Sequence, residues 1–156
     1  MSIVLADNSL PKKLLDAVAS AAAQCGWCQS SETFEPKSAP MSDFHFAVTM
    51  MNATPHHSGL ISTTFRIELA CRIYVSMLRE PQASIDPDIT AAAWDLMSMY
   101  SSGFTLGGLV RQVDLLGESG EPLDLKFGYI GIDKRLYRIA EITLPVIAND
   151  VFTQGA

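Results

Sequence analysis

Thr63 to Met77 read TTFRIELACRIYVSM, and apolar residues occupy every second position across the whole run. Phe65, Ile67, Leu69, Cys71, Ile73, Val75 and Met77 share one side; Thr64, Arg66, Glu68, Arg72 and Ser76 share the other with Ala70 and Tyr74. A period of two with β-branched and aromatic residues predicts a strand buried on one face and polar on the other. At about 3.3 Å per residue the run extends roughly 50 Å, about twice or more the usual strand. A strand of that length overhangs a small domain or anchors a curved sheet, and its polar face invites a partner.

The neighbouring segments supply elements to pair with it. Upstream, Phe44 to Met51 (FHFAVTMM) alternates in the same way, and Asn52 to Ser62, holding Pro55 and Gly59, reads as a polar loop. The two runs form an antiparallel hairpin whose tip reaches beyond the core. Before them, Asn8 or Ser9 caps a helix with Pro11 in its first turn and a stripe of Leu14, Leu15, Val18, Ala19 and Ala22, stopped by Gly26. Gln29 to Met41, with Pro36 and Pro40, holds a short irregular strand at best and then a loop.

Downstream of Pro81, Asp86-Pro87-Asp88 starts a second helix with Asp86 as its capping carboxylate. Its stripe is Ile89, Ala93, Leu96, Met97 and Tyr100, and Gly103 ends it. Leu109 to Leu116 (LVRQVDLL) reads as a central strand because its apolar residues face both ways, and Gly117 to Pro122 as a turn. Leu123 to Tyr129 and Leu136 to Leu144 form a second hairpin across Gly131 to Arg135, with a bulge expected near Ala140 and Glu141. Pro145 is expected at a strand end or edge, and residues 148–156 as an extended tail without periodicity. The expected fold is α/β of the α+β kind: one domain over 1–156, an antiparallel sheet with two long hairpins, flanked by two α-helices.

Composition bounds function. The chain has 156 residues, 48% of them hydrophobic, enough for one domain with a real core. A formal net charge of −6 with scattered Lys and Arg argues against a nucleic-acid clamp, which clusters cations on phosphate. Met1 to Leu5 is too short for a signal h-region, and no apolar run approaches the roughly 20 residues of a membrane helix, so a cytoplasmic product is expected. Three cysteines suit a reducing compartment better than a disulfide framework.

Motifs that carry chemistry are sparse. Cys25-Gly26-Trp27-Cys28 is a C-x-x-C that follows a helix, whereas thiolate stabilisation needs a helix N-terminus, so packing is the preferred reading over redox or zinc chemistry. His56-His57 has no carboxylate at helical spacing, and Gly103 to Gly108 lacks the Lys-Ser/Thr of a phosphate cradle. Asp114, Glu118, Glu121 and Asp124 lack the spacing of a calcium loop. No catalytic set, cofactor or metal is expected. Arg66, Glu68 and Arg72, alternating on one strand face, make either cross-strand ion pairs on a solvated face or contacts with a neighbouring subunit.

Glu35-Pro36-Lys37-Ser38-Ala39-Pro40, Arg72-Ile73-Tyr74, Ile85-Asp86-Pro87, Phe104-Thr105-Leu106-Gly107-Gly108, Val113 to Gly117 and Ile142 to Ile147 stand in an order that carries a resemblance. From about Phe34 to the end, the chain resembles the tail terminator proteins of long-tailed, non-contractile phages, especially those of actinobacterial hosts. Cys25 to Cys28, Met50, Met51 and Phe152 depart from the pattern. The resemblance implies a six-fold homomeric ring, assembled in the host cytoplasm, that becomes part of the virion tail. It would cap the head-proximal end of the tail tube, stop polymerisation and meet head completion proteins, while DNA slides through its pore unbound.

The expected interface residues are Arg66, Glu68 and Arg72, His56 and His57 in the 52–62 loop, and Asp133, Lys134 and Arg135 in the second hairpin turn. Two alternatives remain at this stage. One is a head-to-tail connector; the other is a small enzyme or ligand-binding domain using His45, His56 and His57.

Overall fold

A computed structural model describes residues 9–40, 43–58 and 62–153. Asn8, Gly59, residues 154–156 and the side chain of His57 lie outside the described residues. The elements in chain order are α1 (Leu10–Ala23), β1 (Ser30–Glu32), β2 (His45–Ser58), β3 (Ser62–Ser76), α2 (Ile85–Tyr100), β4 (Gln112–Val113), β5 (Asp124–Ile132) and β6 (Arg135–Thr153). They form a six-stranded sheet in the order β1-β2-β3-β6-β4, with β5 also paired to β6. All pairings are antiparallel except β1 with β2, so the sheet is mixed and the fold is α+β.

β3 is the spine that its alternation predicts. It pairs with β2 on one side and with β6 on the other, the latter from Ser62↔Thr153 to Ser76↔Tyr137. Its odd residues Ile67, Leu69, Cys71, Ile73 and Val75 are buried under the helices, together with Phe46 and Val48 of β2 and Ala140, Ile142, Leu144 and Val146 of β6. Onto this face α1 lays Leu14, Val18, Ala19 and Ala22, and α2 lays Ile85, Ile89, Ala92, Ala93, Leu96 and Tyr100. The small alanines let both helices lie close, and each large aliphatic side chain buried here contributes about 1.5–3 kcal/mol.

Local signals hold in part. Ser9 caps α1, its hydroxyl accepting from Lys12 N at 3.4 Å. α1 ends at Ala23 with Gln24 as its cap, so Gly26 is not the stop. α2 starts one residue earlier than Asp86, after Ser84; Asp86 does not cap it and instead accepts from Arg138 Nε at 2.9 Å. Gly103 takes φ +68 just beyond α2, the left-handed exit expected of it.

Three strand readings change. Residues 52–58 continue β2 as a strand, with register shifts at Met50/Asn52 and Pro55/His57 that accommodate the proline. Residues 148–153 are strand as well, pairing with β3, so the first hairpin becomes a three-stranded arm. Leu109 to Leu116 shortens to the two-residue edge strand β4. Left-handed φ values at Leu106, Gly107 and Gly108 delay the strand, and Asp114 ends it by accepting from Glu118 N at 2.9 Å and Ser119 N at 3.1 Å.

β6 carries no bulge near Ala140 and Glu141; its register with β3 and with β5 runs unbroken there. The apolar positions switch parity because both faces are buried: Tyr137 and Ile139 join a second cluster with Ala47 and Tyr74, while Ala140 and Ile142 join the main core. Pro145 stands inside β6, opposite Glu68. An antiparallel residue points N–H and C=O to the same side, and Pro145 O accepts from Asp114 N at 2.9 Å. Its missing N–H therefore faces the gap where β5 has ended and β4 begins, and no ladder bond is lost.

The Asp133-Lys134 turn joins Ile132 to Arg135 directly, with φ +50 and +64. Two residues with positive φ make the primed turn whose twist matches a hairpin.

Candidate interaction surface

The polar face of β3 is covered by its own chain. Arg66 is 4% exposed and Glu68 8% exposed. Arg66 Nε donates to Asp114 Oδ2 at 2.9 Å, Nη1 donates to Glu68 Oε2 at 2.8 Å, and Nη2 donates to Glu121 O. Glu68 also accepts from Asn52 Nδ2 at 3.3 Å. The guanidinium fork thus ties the loop after β4 onto the sheet, and the loop passes so close that a Cβ at Gly120 would stand 2.5 Å from Arg66 Nη1. Burial alone raises the Asp114 carboxyl, but hydrogen bonds from Arg66, Ser119 and Glu118 outweigh it, and its pKa lies below the usual carboxylate value. The expectation that Arg66 and Glu68 face a neighbouring subunit is corrected: both are consumed inside the protomer, and Asp114 is the partner that makes this possible.

Arg72 anchors a second covering segment. Its Nε donates to Glu141 Oε2 at 2.6 Å and its Nη1 to Glu35 Oε1 at 3.2 Å. Residues 33–40 form a strap over this face, held further by Ala39 N donating to Asp133 Oδ2 at 2.8 Å and Tyr137 OH donating to Pro40 O at 3.3 Å. Arg72 stays partly exposed at the strap's margin.

Beside the strap lies a cavity of about 800 Å³ lined by Ser30, Glu32, Phe34, Pro36, Lys37 and His45 among others. His45 is buried, its Nδ1 2.6 Å from Ser30 Oγ and its Nε2 3.2 Å from Glu32 Oε2, off the hydrogen-bond direction. Burial lowers its pKa, opposed by the Glu32 charge. His56 sits half-buried on β2, in the arm rather than beside His45, so the two do not converge.

Cys71 is buried and Cys25 and Cys28 are partly buried. Burial, with Asp95 nearby, pushes Cys25 up to about 11; burial also raises Cys28, and pushes Cys71 up to about 12. Cys25 Sγ donates to Ala21 O at 3.7 Å and Cys28 Sγ to Ser30 O at 3.3 Å. A reactive pair needs the opposite shift. Among the described residues no group of three His, Cys, Asp or Glu is arranged to hold a metal ion.

What faces solvent differs from what the alternation singled out. On β2, Met50, Met51, Asn52, Ala53, Thr54 and Pro55 are all exposed, so this run of β2 is uncovered although Arg66, Ile67 and Glu68 beside it on β3 are buried. At the tip of the second hairpin Asp133 is spent on the strap, while Lys134 and Arg135 are exposed. Beside them Phe127, Tyr129 and Leu136 are exposed on the helix-side face, with Arg138, held by Asp86 of α2, stacked over Tyr129 at 4.5 Å. In the loop that Arg66 anchors, Leu116 is 80% exposed and Leu115 is exposed too, flanked by Glu118 and Glu121. Sequence reasoning missed Leu115, Leu116, Phe127 and Tyr129. The signal for the leucines was their place against Gly117-Glu118-Ser119-Gly120, a turn composition that a strand reading of LVRQVDLL overrode.

No helix among the described residues is long and apolar enough to cross a membrane. Comparison with protein-family models and with curated protein sequences returns no match to this chain.

Proposed function

We propose that this chain is a structural virion protein, a tail terminator that closes into a six-fold ring on the head-proximal end of a phage tail tube. The ring stops tube polymerisation and offers its outer surface to head completion proteins. The observation that carries this reading is the three-stranded arm of β2, β3 and β6, whose Met50 to Pro55 run is exposed. Apolar side chains along this outer stretch of β2 are exposed in the protomer, and association with a neighbour or with the tube covers them. The order of family-like motifs from Phe34 onward supports the same reading, as does the acidic balance of −6, which suits a pore that lets DNA slide. The test is assembly in vitro: tube subunit polymerised with this protein should give tubes of arrested length by electron microscopy. Tubes that grow without limit in its presence overturn the reading.

A second reading has one specific observation in its favour. Ser30 Oγ and His45 Nδ1 are 2.6 Å apart beside the 800 Å³ cavity, a hydroxyl–imidazole contact through which a neutral histidine can take a serine proton, with Glu32 close to the other ring nitrogen but not hydrogen-bonded to it. Turnover of a p-nitrophenyl ester that disappears in Ser30→Ala supports hydrolysis; equal background rates in both proteins reject it.

A further inference from the structure

Two of the exposed apolar groups among the described residues are flanked by charges of opposite sign, one where β5 begins and the other along β5 and beside its hairpin turn. The first is a knob, Leu115 and Leu116, carried with Glu118 and Glu121 on the loop after β4. The second is a patch, Phe127, Tyr129 and Leu136, next to the hairpin tip that carries Lys134 and Arg135.

β4 pairs with Val146 and Ile147 of β6, whereas the hairpin tip pairs at Arg135. These points are about 40 Å apart along β6 at roughly 3.4 Å per residue, but Leu115 O accepts from Leu123 N, four residues before Phe127, so the near edges of knob and patch are about 14 Å apart along β5. Both are rigidly presented. The knob loop is held by Arg66 through Asp114 and Glu121, and the tip by a two-residue turn bonded to the strap through Asp133.

Lys134 holds φ +64 in a turn position where glycine or asparagine is at ease, so a lysine there costs stability. The Lys134 side chain is exposed and can meet a group outside the hairpin.

We infer that the knob of one protomer docks on the patch of the next copy of this chain, Leu115 and Leu116 meeting Phe127, Tyr129 and Leu136 while Glu118 and Glu121 pair with Lys134 and Arg135. An apolar centre with a charged rim of complementary sign is the anatomy of a protein interface, and the charges set its register. Where knob and patch of one protomer meet two different neighbours the contact is heterologous, and repetition closes a ring or winds an open filament; two copies that exchange both contacts form an isologous dimer, at which the cross-linking ladder stops. The inference rests on the ring reading above and supplies its contact.

The experiment uses the full chain. Glu118→Lys with Glu121→Lys reverses the knob; Lys134→Glu with Arg135→Glu reverses the tip. Sedimentation velocity at low salt should show each double variant weakened in self-association by roughly tenfold or more, and the chain carrying all four changes restored, since its reversed surfaces again match.

All four side chains are exposed, so thermal unfolding by circular dichroism should stay near wild type in every variant. To capture weak contact, Leu116→Cys with Leu136→Cys in a chain lacking the native cysteines should give a bismaleimide ladder ending at a closed ring. Double variants that associate like wild type, a four-fold variant that folds but does not recover, or absence of any cross-linked dimer overturns the inference. Tube lengths still arrested by the double variants count against this contact alone, whereas wild-type protein that leaves tubes unlimited counts against the ring reading.

Discussion

Arg66 on β3 and Asp114 after β4 form an ion pair of 2.9 Å in which each side chain is only 5% exposed. Forty-eight positions apart, they join the central strand to the loop that carries the most exposed leucine of the described chain. A charge taken out of water is tolerated only when paired and hydrogen-bonded, and here Glu68, Glu121 O and two loop amides complete the set.

Removing one partner leaves the other buried and uncompensated. Asp114→Ala should cost about 3–5 kcal/mol in urea unfolding, with Asp114→Asn losing less because an amide oxygen still accepts from the loop. The carboxyl titrates below its unfolded value of about 3.9. A depressed carboxyl contributes stability that is fully present above the unfolded pKa and lost as pH falls through the folded one. Wild type should therefore lose stability below about pH 4 more steeply than Asp114→Asn does.

Gly120 is needed because Arg66 is beneath it. A Cβ there meets the guanidinium at 2.5 Å from Nη1 and 2.7 Å from Cζ, and three acceptors prevent that group from swinging away. Gly120→Ala should destabilise by about 1–3 kcal/mol. In an Arg66→Ala background the added cost of Gly120→Ala should nearly vanish, and a double-mutant cycle by chemical denaturation measures the difference.

The strap is held by its ends and middle rather than by a ladder. Arg72→Ala releases Glu35 while leaving the Asp133 and Tyr137 contacts to Ala39 and Pro40. Amide exchange by mass spectrometry should speed up in residues 33–37 more than in 38–40, with the β3–β6 ladder unchanged. Uniform protection across the strap in the variant contradicts this anchoring.

Burial governs the thiols. With Cys25 pushed up to about 11 and Cys71 to about 12, iodoacetamide at pH 8 should label native Cys25 slowly and Cys71 only after denaturation. Rapid native labelling of either, read by mass spectrometry, speaks against the packing described here.

The amino-acid order by itself determined the local periods. The odd positions of β3 lie under the helices as their alternation demands, the stripes of α1 and α2 meet that face, and the polar 131–135 stretch holds the turn of the second hairpin. These outcomes depend on neighbours two to four residues apart, which a sequence displays directly.

Only the tertiary structure decided what covers the second face. Arg66 and Glu68 read as solvent-facing because alternation reports which side a residue is on and not what lies over that side. A strap from 33–40 and a loop from 114–121 arrive there from distant parts of the chain, and they satisfy charges that a local reading leaves to water or to a neighbour. Leu109 to Leu116 failed as a strand for the same reason. Asp114 keeps its backbone bond to Pro145 O while its carboxylate accepts from Arg66 and from the amides of Glu118 and Ser119, which turns the chain off the sheet and leaves the apolar side chains of Leu115 and Leu116 outside.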